Sequence, residues 1–337
     1  MIITFGEMLL RLSPPGYLRL PQTQTLNFSF GGAEANVAAS LAFFGKSTGF
    51  VTGLPDNDLG QMCKAELRRW NINTDEIVTR PGRLGIYFCE KGVSQRPSKV
   101  LYDRSGSVLS QMQPEAFNWE RILRHAEWFH FTGITPALGN NMEKAVLDAC
   151  RTAKKFGVKI SCDPNYRRNL WDRQTAENVL SQILPYVDVL ITNDGCADEV
   201  FGIRPAKQSS SDELFPEDYR SVAEQLTDRF GIKTIALTIR KSISASCNRW
   251  SAVLYDSKKL YTSLEYTLQV VDRVGGGDSF AAGLIYGITE GYEPSLILEF
   301  ATAASCLKHS VEGDVNFVSA EEVLALVQGD GTGRILR

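Results

Sequence analysis

Near its C-terminal end the chain reads Val-Val-Asp-Arg-Val-Gly-Gly-Gly-Asp-Ser-Phe-Ala-Ala-Gly, from Val270 to Gly283. Three consecutive glycines lose much conformational freedom on folding, so their position needs a reason. A strand ending near Val271 and a helical pattern from Phe280 to Thr289 place Gly275, Gly276 and Gly277 at a helix N-terminus. Backbone N–H groups point outward there, and the helix dipole favours negative charge. Without Cβ atoms an anion can approach closely. These are the requirements for holding a phosphate whose charge rises during transfer. Asp278 follows at once. A carboxylate is a poor phosphate ligand but a good acceptor for the proton of an attacking hydroxyl; an N-cap aspartate is the other reading. Asp272 reads as a cation ligand, a turn cap or a sugar contact. Ala281, Ala282 and Gly283 allow close helix packing.

Such residues need a scaffold. Short apolar runs near Ile2 to Phe5, Ser47 to Thr52, Trp128 to Thr132, Val158 to Cys162, Val187 to Ile191 and Thr234 to Thr238 read as buried strands. Between them lie helical patterns, near Glu34 to Phe44, Leu59 to Trp70, Met142 to Phe156, Ala176 to Leu184 and Pro216 to Phe230. This alternation predicts an α/β fold, a mostly parallel central sheet with helices on both faces. Ligands of such sheets bind at the carboxyl ends of the strands. Two excursions, about residues 10–30 and 84–104, carry no helix. They predict a small antiparallel β-sheet lid within a single domain spanning 1–337, or else an extension of the main sheet. A serine-rich stretch from Ser209 to Pro216 reads as a surface loop, and the tail from Gly329 reads as loose.

Bulk properties narrow the partners. The chain has 337 residues, a formal net charge of −3 and no long uncharged apolar run. Neither nucleic acid nor a membrane is an expected partner. The first residues carry Glu7 and no basic front, so the cytoplasm is the expected compartment. Seven scattered cysteines without a C-x-x-C pair read as free thiols, and three dispersed histidines form no metal pattern. Phe44-Gly45-Lys46-Ser47-Thr48 ends like a phosphate-binding loop, but Ser40 stands where the first glycine is required. It reads as a helix stop followed by a strand.

Asp272 to Gly283 resembles the C-terminal signature of the ribokinase-like (PfkB) carbohydrate kinases. Phe30-Gly31-Gly32-Ala33-Glu34-Ala35-Asn36-Val37-Ala38 resembles their N-terminal signature. The likeness runs over nearly the whole chain, from Ile3-Thr-Phe-Gly-Glu to Glu312-Gly-Asp. It implies ATP and Mg²⁺ as cofactors, with a monovalent cation such as K⁺ left open. It also implies Asp278 as base, an anion hole at Gly275 to Gly277, and a homodimer or higher oligomer through the lid. Gly31 and Gly32 would let substrate approach the backbone, with Asn36 bonding a sugar hydroxyl. On the nucleotide side it points to Asn193, Thr238 and Arg240, which follow strands, and to Lys308 and His309 on a late helix. The protein metal ligands are left unknown. One departure concerns Asn193-Asp-Gly-Cys196, where the family has Asn-x-x-Glu. Cysteine is a poor partner for Mg²⁺, so Asp194 or Glu199 would have to stand in.

The sugar is addressed by Tyr87, by Tyr102-Asp-Arg104 and by the stretch Asp163 to Trp171, which holds Arg167. Two converging arginines suit an anionic substrate. These stretches resemble those of 2-keto-3-deoxygluconate kinases. That likeness assigns Gly32, Asn36, Tyr87, Tyr102, Arg104, Arg167, Asp272 and Asp278 to the sugar-acid site, with phosphorylation at the C6 hydroxyl. Either arginine pairing with Asp103 or Asp163 would weaken the clamp. The alternatives are a kinase of a neutral sugar such as fructose or ribose, and a non-catalytic sensor of the same fold.

Overall fold

The computed structural model describes residues 1–205 and 215–329. Most of the serine-rich stretch and the tail beyond Gly329 lie outside the described residues. In chain order the strands are β1 (Ile2–Phe5), β2 (Leu9–Ser13), β3 (Asn27–Gly31), β4 (Thr48–Pro55), β5 (Ile77–Arg80), β6 (Gly85–Glu90) and β7 (Lys99–Asp103). They continue as β8 (Trp128–Thr132), β9 (Lys159–Asp163), β10 (Val189–Thr192), β11 (Thr234–Ser242), β12 (Cys247–Tyr255), β13 (Leu260–Thr262) and β14 (Tyr266–Gln269).

Among the described residues the main sheet has ten strands, in the order β13-β12-β11-β10-β9-β8-β1-β4-β5, with β14 also on β12. From β11 to β5 every neighbour is parallel, and β12 begins an antiparallel extension. The parallel strands are covered on both faces, which is why they read as unbroken apolar runs. Successive side chains go to opposite sides. Ile3 and Phe129 join one core cluster, and Ile2 and Trp128 join the other.

A second sheet has the order β3-β2-β6-β7. The sequence led us to expect it to be antiparallel; it is mixed. Its two outer pairs are antiparallel, but β2 and β6 run parallel, from Leu9↔Gly85 to Leu12↔Phe88. The reason is topological. β2 follows β1 and β6 follows β5, and both parent strands run in the same direction, so the two excursions meet side by side in parallel.

Three boundaries differ from expectation. β11 continues to Ser242 because β12 pairs with it as far as Ser242↔Asn248, so Thr238 and Arg240 lie inside a strand rather than after one. Pro216–Tyr219 is a 3₁₀ turn ahead of the Arg220–Phe230 helix. The glycine-rich helix starts at Gly276, not Phe280. The Phe44–Thr48 stretch behaves as read. The helix Ala33–Phe43 ends, Gly45 takes a φ of +89°, and β4 begins at Thr48.

Candidate active site

A cavity of about 720 Å³ opens where β1, β8, β9, β10 and β11 end and the second sheet comes over them. Glu7, Asp163 and Asn193 reach it from the strand ends, Thr238 and Arg240 from within β11, Tyr87, Tyr102 and Arg104 from the second sheet, and Gly275, Gly277 and Asp278 from the glycine loop. Gly32, Asn36 and Arg167 complete the set of expected residues on its wall.

The three glycines have three different reasons. Gly275 is the N-cap of the Gly276–Thr289 helix at φ +84°, a left-handed conformation, and a Cβ there would strike the Asp314 carbonyl. Gly276 is buried with the His309 ring 2.6 Å from where its Cβ would be. Gly277 alone has open space in that direction and faces the cavity. The N–H groups of Gly277 and Asp278 have no acceptor among the described residues, as expected for a helix start aimed at an anion. The residues of the glycine loop that border the cavity are thus Gly275, Gly277 and Asp278, while Gly276 serves packing.

Asp278 lies in the first turn of that helix and is not its cap. Its Oδ2 accepts a 2.7 Å hydrogen bond from Nδ2 of Asn36. Burial raises its pKa from 3.8 to about 7; the Asn36 bond opposes the shift, and the Asp163, Asp314 and Glu34 charges reinforce it. Asn36 is brought there by the Ala33–Phe43 helix, which is buried along most of its length. Glu34 anchors that helix. Its Oε1 accepts from the Thr132 N–H and from the hydroxyls of Thr132 and Thr135. Gly31 and Gly32 differ from the expectation that they admit substrate. A Cβ on Gly31 would meet the Asp314 side chain, and one on Gly32 the Glu7 carbonyl. Their space is used by the protein itself, although Gly32 still borders the cavity.

Asp272 does not line the cavity. It is buried, and its Oδ2 accepts from Arg11 at 2.6 Å and from the Gly313 N–H. Arg11, on β2, also donates to Asp314 at 2.6 Å, and Asp314 accepts from the Tyr87 hydroxyl. This buried network ties the second sheet to the loop that carries the glycines. Lys308 and His309 also lie outside the cavity wall. Lys308 is fully buried, its Nζ donating to the carbonyls of Val311 (3.1 Å) and Asp272, and burial lowers its pKa to about 8. The His309 ring lies tilted against that of Trp250, with centroids 5.4 Å apart. Burial lowers its pKa to about 4, so it is neutral near pH 7.

Neither arginine of the expected clamp pairs with Asp103 or Asp163 within salt-bridge distance among the described residues. Arg104 pairs with Glu7, its Nε donating at 2.8 Å, and its guanidinium lies 5.5 Å from the Tyr102 ring centre. Asp103 pairs with Arg83. Arg167 is exposed at the cavity mouth, and its charge opposes the burial that raises the Asp163 pKa to about 6. The Tyr87 and Tyr102 rings lie 5.8 Å apart on paired strands.

Asn193 caps the Asp194–Phe201 helix by accepting from the Cys196 N–H. Cys196 lines the cavity, with burial raising its thiol pKa to about 11. Glu199 lines it too, but its Oε1 already accepts from Arg168. Among the described residues no cluster of three His, Cys, Asp or Glu side chains is placed to hold a metal. Sequence reasoning missed Glu7, Arg11, Arg273 and the role of Asp314. Glu34 carried a signal, a charge inside an apolar helical run.

Comparison with known proteins adds the following. The family model described as pfkB family carbohydrate kinase matches residues 1–321. A crystal structure of 2-dehydro-3-deoxygluconokinase from Thermotoga maritima is 46% identical and superposes with a TM-score of 0.92, covering 97% of this chain and 98% of that one. A 2-dehydro-3-deoxygalactonokinase from Haloferax volcanii is 28% identical over 98% of both chains. A 5-dehydro-2-deoxygluconokinase from Clostridium perfringens is 26% identical over 95% of this chain and 90% of its own length.

Proposed function

Because the chain belongs to the pfkB family of carbohydrate kinases, we propose that it transfers the γ-phosphoryl group of ATP to the C6 hydroxyl of 2-keto-3-deoxy-D-gluconate. The observation that carries the kinase chemistry is Asp278, a carboxylate of raised pKa beside the unpaired Gly277 and Asp278 N–H groups at one cavity wall. The hydroxyl oxygen forms a bond to the γ-phosphorus, the bond from phosphorus to the β–γ bridging oxygen breaks, and the hydroxyl proton goes to Asp278. The transition state is loose, so placement and charge stabilisation matter more than strong basicity. The helix start holds the phosphoryl oxygens as their charge changes.

The sugar acid is supported by Arg104, Arg167, Tyr87 and Tyr102 on the same cavity and by what the relatives are called. Glu7 compensates Arg104, so in this reading Arg167 supplies most of the uncompensated charge for the substrate carboxylate, and Arg104 supplies hydrogen-bond geometry. The metal enters as part of the substrate, MgATP. The residues near Asn193 fit a hydrated ion better than direct ligation, since Cys196 offers soft sulfur where Mg²⁺ prefers oxygen. Phosphorus NMR of the product tests the position of transfer. A phosphate coupled to the C6 methylene protons is expected; a phosphate on another carbon would overturn the assignment.

A further inference from the structure

Arg240 in β11 and Arg273, two residues before Gly275, both line the cavity beside the glycine loop. Neither forms a salt bridge among the described residues. The Arg240 guanidinium donates no hydrogen bond there. Arg273 donates one, from Nη2 to the Ala245 carbonyl at 3.1 Å, while its Nε is shielded from solvent and has no partner. The two cations are near enough to act on each other: burial lowers the Arg240 pKa, and the Arg273 charge lowers it further. The carboxylate that opposes this is Asp194, which lies beyond ion-pair distance. Arg240 is exposed and Arg273 half-buried, so water serves the unused donors of the free protein, and an anion entering the cavity between them gains from both charges. The neighbouring N–H groups of Gly277 and Asp278 also await an acceptor. A chain of phosphates satisfies all of them together, because each guanidinium presents a fork of donors to phosphate oxygens.

We propose that Arg273 is a catalytic residue of this kinase, which with Arg240 clamps the phosphate chain of the nucleotide and neutralises charge on the β-phosphate as the γ-phosphoryl group leaves. The proposal rests on the kinase reading above. It also gives the Asp-Arg-Val-Gly-Gly-Gly segment a second function besides the anion-binding helix start.

The test begins with the wild-type protein. Sugar-acid-dependent ADP release establishes the kinase reading; its absence would sink that reading separately. Arg273→Gln is then compared with Arg273→Lys, which can still donate to Ala245 and keeps the charge but not the fork. Calorimetry with MgADP and with AMP reads the clamp without turnover. For Arg273→Gln the proposal expects MgADP affinity to fall about 10-fold or more while AMP affinity stays, and kcat to fall about 100-fold or more. Arg273→Lys should recover part of kcat. Unchanged kcat in Arg273→Gln, or an equal loss of MgADP and AMP affinity, would overturn it. If Arg273→Gln fails to fold, the Lys variant decides: a kcat equal to the wild type would overturn the fork.

Discussion

Asn36 Nδ2 sits 2.7 Å from the Asp278 carboxylate, although 242 positions of sequence separate them. The bond joins the two glycine-rich signatures across the floor of the cavity. It also acts on the ionisation of Asp278. Burial raises the Asp278 pKa to about 7, and the Asn36 hydrogen bond limits that rise.

The pH dependence follows. In the proposed reaction Asp278 must be deprotonated, so kcat/KM for the sugar acid should rise with pH through about 7. Asn36→Ala removes a bond that favours the carboxylate, so its midpoint should lie higher than in the wild type. Asp278→Asn should lower kcat by about 100- to 10,000-fold. Its effect on stability has the opposite sense. A carboxyl whose folded pKa is raised above 3.8 loses stability as pH rises from there to about 7. Asp278→Asn should therefore melt higher than the wild type at pH 8 and lose that advantage near pH 4. Melting curves at the two pH values check the sign.

The glycines separate by substitution. Gly277→Ala meets no protein atom within 4 Å. It should fold with a normal Tm yet lose turnover, because the new Cβ stands where the phosphoryl group must approach. Gly275→Ala should instead lower Tm, through its φ of +84° and the Asp314 carbonyl. Thermal melting and ADP release on the same preparations distinguish the two.

Arg11 holds two buried carboxylates together. Arg11→Met leaves Asp272 and Asp314 uncompensated and should cost about 3–5 kcal/mol of stability at neutral pH. Denaturant unfolding measures this, and part of the loss should return at low pH as Asp314, whose pKa burial raises, takes up a proton.

The sugar-side arginines should behave differently. Arg167 is exposed and outside any ion pair among the described residues, so Arg167→Ala should raise KM for the sugar acid about 10-fold with little change in Tm. Arg104→Ala leaves Glu7 buried without its partner and should lower both Tm and substrate affinity. Steady-state kinetics on the two variants checks the contrast.

The mostly parallel character of the main sheet and the place of the glycine loop were legible because buried parallel strands and glycines leave local signs. Thr4, Ile160 and Leu190 sit in runs that alternate with helices, and Gly275 to Gly277 stand just ahead of the helical pattern of Phe280 to Thr289. The long-range ion pairs left no such sign. Arg11 is a lone basic residue in a strand, and only folding sets it against Asp272 and Asp314. That Lys308 and His309 lie behind the cavity wall left no sign for a similar reason. The Pro294–Lys308 helix is buried on nearly every face, so no polar stripe shows which residues meet a ligand. The parallel pairing of β2 with β6 depends on the direction of their parent strands, which neither segment encodes by itself.

The proposed reaction is ATP-dependent phosphorylation of a 2-keto-3-deoxy sugar acid. Its most direct test is ADP release with MgATP against 2-keto-3-deoxygluconate, its galactonate epimer, fructose and ribose. Turnover is expected with 2-keto-3-deoxygluconate and none with the neutral sugars. Turnover with fructose or ribose in preference to the keto acids would contradict it.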